Sequence, residues 1–250
     1  MYVLIRFDQI TLFGHGVRAK NCMLDQEVQV DEIEQRVLDA AQRLFIHYGY
    51  DKTTVNDLSA ESGVAKSTIY LRWKKKEEIF EALIWREGRV FIENWSRRIQ
   101  EDPRGSVFSV FYRHALECLL ENPFLLAVYK RDSRFLGSMI QRIGVTEFYL
   151  RRQEMVMQFF IALQNAGSIR QEVDAHTVSY LLNSIQYGLI QMGDIIPEAN
   201  TPPLEEVLEM VVKMVDRLIA SEDGGDCEAG RRILEDFMKQ IQTTLNANLA

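Results

Sequence analysis

A chain of 250 residues with 47% hydrophobic and 26% charged content carries enough apolar side chains for a sizeable core, and its periodic segments argue against disorder. The formal net charge of −7 disfavours a uniformly basic surface, and no apolar run approaches the ~18–20 residues of a membrane span. The apolar run that opens the chain is shorter than the ~7–15 residues of a signal-peptide core, so a cytoplasmic location without membrane contact is expected.

Residues 1–29 form an N-terminal extension. Met1 to Cys22 is poorly helical and contains one acid, Asp8, and only Tyr2–Phe7 hints at strand alternation. Two readings stand: a start assigned too early, with Met23 as the native start, or an arm whose Arg18 and Lys20 touch a minor groove. Asp31 and Glu34 then have the spacing of a capping box, and Ile33, Val37, Ala41, Leu44, Phe45 and Tyr48 repeat at helical spacing. Gly49 suits the left-handed residue that stops this helix.

Thr53 or Thr54 can cap a second, short helix that turns Val55 and Leu58 inward. Gly63 supplies the positive φ of a tight turn between two helices, and Val64, Ile69 and Trp73 continue the inward face. Lys66, Ser67, Tyr70, Leu71 and Arg72 are thereby left pointing away from the core. Between Val64 and Lys76 stand five basic residues (Lys66, Arg72, Lys74, Lys75 and Lys76) and no acid. DNA responds to the field within a Debye length of about 8–10 Å, not to net charge, so this local excess suits a major groove despite the acidic whole.

From Val37 to Leu83 the chain resembles the DNA-binding domain of the TetR family. The resemblance rests on Ala41, Leu44, Phe45 and Gly49 closing the first helix, the threonines opening the second, and the Ser62-Gly63-Val64 turn. Ser67-Thr68-Ile69-Tyr70 and Lys76-Glu77-Glu78-Ile79 complete it. It implies an all-α protein: a three-helix helix-turn-helix DNA-binding domain over 30–76, then a helical effector-binding and dimerisation domain over 77–221. A linker and extra C-terminal helix fill 222–250. Carried over residue by residue, Thr54 would bond a phosphate and Val55 would approach a base. Lys66 and Ser67 would reach base edges, Thr68 and Tyr70 would hold phosphates, and Arg72 and Lys76 would add charged phosphate contacts. The chain departs from the family pattern at Lys75, which cannot cap the fourth helix, and at Trp73, bulkier than the usual Phe.

Downstream, a helix is expected from about Lys76 to Trp95. Asp102-Pro103 and Asn122-Pro123 each read as an N-cap followed by proline, opening helices over about 103–121 and 123–131. Further helices are expected over about 146–167, 174–193 and 204–220, with a Gly-rich linker at Ser221–Gly225 and a last amphipathic helix carrying Ile233, Phe237, Met238, Ile241 and Leu245. The resemblance makes the helices at 174–193 and 204–220 the seam of a homodimer. That seam would be built from Val178, Leu182, Ile185 and Leu189 with Val207, Val211, Met214 and Leu218. The middle helices would line a pocket for a small hydrophobic or aromatic effector, with Phe108, Phe111, Tyr112, Tyr129, Phe148 and Phe159 as walls and His114 and Cys118 as polar or soft groups.

No Walker loop, GxSxG, HExxH or Rossmann pattern occurs, the three cysteines and four histidines are scattered, and the acids at 31–34 suit a helix start. His114 and Cys118, at i, i+4, could pair as thiol and imidazole or hold a metal; a core histidine beside a buried cysteine is the plainer reading. No cofactor and no catalysis are expected. Two functions remain: an operator-binding repressor released by an effector, and a DNA-associated structural or partner-binding protein of the same fold.

Overall fold

The computed structural model describes residues 23–142, 156–221 and 228–247. Among them the only β pairing is an isolated bridge between Ile169 and Ala220, so the fold is all-helical as expected. Tyr2–Phe7, Arg18, Lys20, Phe148 and the 222–225 stretch of the expected linker lie outside the described residues.

α1 (Met23–Tyr48) begins upstream of Asp31. Residues 23–30 contain no glycine or proline, so the helix runs through the expected cap without interruption. It stops where expected, at Gly49 with φ 84°, but Tyr48 faces solvent, outside the apolar stripe. α2 (Val55–Ser62), α3 (Lys66–Arg72) and the start of α4 (Lys76–Glu101) complete the N-terminal head.

α4 continues past Trp95 and is the spine of the molecule. The next helix does not start at Pro103. Asp102 accepts from the Arg104 N–H at 2.8 Å, and Gly105 lies so close to the Ile99 carbonyl that an added Cβ would sit 2.0 Å from its oxygen. This forces a tight turn, and α5 runs over Phe108–Leu120. α6 (Pro123–Lys130) has the expected Asn122 cap, with Asn122 accepting from Leu125 N–H at 2.9 Å. Two four-residue helices follow, α7 (Ser133–Leu136) and α8 (Met139–Arg142). α9 is described over 156–165. α10 (Ala175–Ile195), capped by Asp174, α11 (Leu204–Ile219) and α12 (Glu228–Ala247) complete the body.

Two aromatic groupings organise the single core. In the first, Phe80 of α4 stands between Phe45 and Tyr50 of the head, at 5.6 and 5.4 Å, and Phe124 and Phe135 of the body, at 5.6 and 6.1 Å. Arg86 reinforces this junction by donating to Asp39 and Gln42 of α1 and to buried Glu87, whose other oxygen accepts from Asn122. In the second, fully buried Trp95 packs 4.5 Å from Phe111 and donates its indole N–H to the Phe111 carbonyl. α11 packs on α5, and α12 on α4.

Candidate nucleic-acid interface and effector cavity

Thr54 caps α2 reciprocally: its hydroxyl accepts from Asp57 N–H at 3.2 Å, and the Asp57 carboxylate accepts from Thr54 N–H at 2.8 Å. These contacts with Thr54 hold the Asp57 carboxyl below its ordinary pKa. Thr53 is buried instead, donating to the Gly49 carbonyl at 2.9 Å. Gly63 adopts φ 65°, and Arg36 of α1 clamps the turn by donating to the Ser62 carbonyl at 2.7 and 3.1 Å. Ser59 donates to the Val64 carbonyl from the other side. The turn is therefore tied to α1, and it fixes how α3 projects.

On α3, Ile69 is buried, while Lys66, Ser67, Tyr70 and Leu71 face solvent and Thr68 is half-buried. Lys66 Nζ lies 5.8 Å from the centre of the Tyr70 ring, so the two form one projecting unit. Thr54 is exposed and Val55 half-buried beside it.

The basic run is used unevenly. Arg72 is ion-paired with Glu34 of α1. Lys74 Nζ donates to the Tyr70 carbonyl at 3.2 Å, at the end of α3. Lys76 turns inward, its Nζ donating to the carbonyls of Tyr50 and Thr53 at 2.6 and 2.8 Å and lying 4.0 Å from the centre of the Tyr50 ring. Burial lowers its pKa, against the opposing pull of Asp51 and Glu77. The two cations expected at phosphates thus have partners within the protein. Lys66 and Lys75 are exposed, and their side chains make no hydrogen bond or ion pair among the described residues. Lys75 provides no side-chain cap for α4, and Glu78 instead accepts from Lys74 N–H at 2.7 Å.

Phe108, Tyr112 and Phe159 meet at a cavity, joined by Trp95 and by residues of α9, α10 and α12. Phe111 lies behind this wall, 5.8 Å from Phe159. His114 is not in it: the ring lies on another face of α5, 3.0 Å from both Asp102 and Glu117. Burial alone would raise the Glu117 pKa, but Arg113 at 2.7 Å and His114 hold it below the ordinary range. Cys118 is buried outside the cavity, its thiol pushed up to about 11 by burial. Tyr129 is also outside, 6.3 Å from Tyr187. The reading of the sequence missed the polar wall of the cavity, where α10 presents Ser179, Asn183 and Gln186 at i, i+4, i+7. Asn183 donates to the Ser179 carbonyl at 2.7 Å, and the Tyr112 hydroxyl donates to the Leu182 carbonyl at 2.7 Å.

The residues expected at the dimer seam divide. Val178, Leu182 and Val211 are buried within the protomer, Ile185, Leu189 and Val207 are half-buried, and Met214 and Leu218 are exposed. The solvent-facing apolar side of α10 carries Tyr180, Leu181, Tyr187 and Ile195; that of α11 also carries Leu204 and Met210. Both helices are amphipathic as read, but α10 turns much of the predicted stripe into the protomer.

Residues 37–83 match the family model described as bacterial regulatory proteins, tetR family. The transcriptional regulator YvkB of Bacillus subtilis (strain 168) is 24% identical over 185 residues, covering 70% of this chain and 90% of that protein. A TetR transcriptional regulator from Chloroflexus aurantiacus has a similar fold, with a TM-score of 0.55 and 20% identity over 78% of this chain and 99% of that one. So does the regulator FadR of Bacillus subtilis, solved in complex with stearoyl-CoA, with a TM-score of 0.54 and 18% identity over 72% of this chain and 96% of that one.

Proposed function

Because the chain belongs to the TetR family of bacterial regulatory proteins, we propose that it is a homodimeric, cytoplasmic repressor that leaves its operator when a small apolar or aromatic effector occupies the cavity. Lys66, Ser67 and Val55 read base edges, and Thr54, Thr68, Tyr70 and Lys75 hold phosphates. Arg72 and Lys76 act chiefly by fixing the head, through Glu34 and through the loop at Tyr50–Thr53. The apolar outer faces of α10 and α11 form the dimer seam, whose two-fold axis matches a palindromic site.

The observation that carries effector control is the continuity of α4. Lys76, Phe80 and Trp95 lie on one unbroken helix, and they respectively hold the loop before α2, centre the head–body junction and wall the cavity. At about 1.5 Å per residue the helix spans roughly 28 Å between Lys76 and Trp95, so a small tilt at the cavity becomes a displacement of the head. An apolar effector agrees with the aromatic lining of the cavity.

Control requires the effector to prefer the arrangement that cannot bind DNA; a 100-fold preference corresponds to about 2.7 kcal/mol and acts reciprocally on operator affinity. The test is a thermal-shift screen of apolar compounds followed by gel-shift titration on the protein's own footprinted operator. Release of the operator by stabilising compounds is expected. Compounds that stabilise the protein and leave operator affinity unchanged would overturn effector control.

A further inference from the structure

The cavity is nearly full, and one of the residues filling it comes from the C-terminal helix. About 40 Å³ of free space remains, against the roughly 300–1,000 Å³ of small-molecule sites. Phe237 of α12 lines that space, 6% exposed, and its ring lies 4.2 Å from Phe159 at an interplanar angle of 24°. α12 is seated on the body by one stripe, Leu234, Phe237, Met238 and Ile241, while Arg231, Glu235 and Lys239 beside it are exposed. Along its flank runs an open cleft of about 620 Å³, bounded by Ser96, Gln100, Asp102 and Pro103. The helix is therefore attached along a single face with free space beside it.

Opposite the aromatic wall stands Gln186, 5% exposed, whose amide has no hydrogen-bond partner among the described residues. Gln186 is part of the cavity lining, so its amide is available there to pair with an incoming polar group. No charged side chain is among the described residues lining the cavity.

We propose that Phe237 occupies the effector's place, and that the protein takes a neutral effector whose aromatic or apolar body displaces Phe237 while one hydrogen-bonding group pairs with Gln186. This deepens the effector reading given above and rests on it. Phe237 sets what the cavity admits: a ligand must replace its ring, and a charged body finds no counter-ion among the described residues of the wall.

The probe is N-phenyl-1-naphthylamine, a neutral diaryl amine with one N–H, titrated by fluorescence into the full chain. Phe237→Ala, which vacates the place, should bind it at least tenfold more tightly than the parent, and Phe237→Trp at least tenfold more weakly. In the parent, the probe should accelerate amide hydrogen exchange over 228–243 and slow it over 175–190. Equal affinity of all three proteins, or probe-induced protection of α12 in the parent, overturns the proposal; the exchange result stands even if the alanine variant fails to fold. Neither readout involves DNA. A probe that frees α12 without changing operator affinity would refute effector control and leave the role of Phe237 standing. Operator release with α12 protected would do the reverse.

Discussion

The backbone N–H of Tyr50 donates to the Phe135 carbonyl across 2.8 Å, joining the loop before α2 to α7. Beside this bond, Asp51 accepts from the Ser138 hydroxyl at 2.6 Å and from its N–H at 2.9 Å. Gly49 approaches α7 so closely that an added Cβ would lie 2.2 Å from the Arg134 carbonyl oxygen. Gly49→Ala meets both that contact and a φ of 84°, and should cost about 3 kcal/mol or more. Urea unfolding measures it, and an unchanged midpoint would contradict the described packing.

Lys66, Lys75 and Lys76 should separate in DNA binding. Lys66→Ala should relax base preference at one half-site position by about 1–3 kcal/mol. Lys75→Ala should weaken all sequences alike and lower the salt slope by about one. Lys76→Ala should chiefly destabilise the fold, by about 1–3 kcal/mol, because the carbonyls of Tyr50 and Thr53 lose their donor. Gel-shift titrations across salt, paired with thermal melts, distinguish the three; a fully stable Lys76→Ala protein would refute its inward role.

Assembly depends on which apolar face is altered. Leu181→Glu or Met214→Glu places a charge on the exposed side of α10 or α11 and should yield folded monomers with little operator affinity. Val211→Glu buries an unpaired charge in the protomer and should unfold it. Light scattering and circular dichroism together test this, and intact dimers from both exposed-face variants would exclude that seam.

Acid should loosen the molecule through Glu117. Its native pKa lies below the unfolded value of about 4.3, so its contribution is present above that pH and is lost as pH falls through the native value. Glu117→Gln should therefore melt below the parent at pH 7, and the gap should narrow as the pH falls towards 3. A pH-independent gap in thermal melts would show that the ion pairs with Arg98 and Arg113 contribute nothing.

The head was legible in the sequence because its determinants are local. Gly63 makes the turn, Ile69 and Trp73 sit one helical turn apart on the buried side, and Thr54 finds Asp57 three residues on. What escaped depends on partners far along the chain. Nothing near Lys76 announces that its ammonium reaches back to Tyr50, and nothing near His114 points to Asp102. α10 is apolar on two sides, so adjacent Leu181 and Leu182 look alike in sequence although one is exposed and the other buried. α7 and α8 are too short to leave a period, yet α7 carries the carbonyl that accepts from Tyr50.

The fit between Gly49 and residue 134 also bears on how such proteins can be recombined. A chimera cut near residue 76 would set this N-terminal head against a foreign body with an unmatched α7 and leave Tyr50 and Asp51 without their acceptor and donors. The transplantable unit is therefore discontinuous in sequence: the head travels intact only with residues 132–138 grafted alongside it.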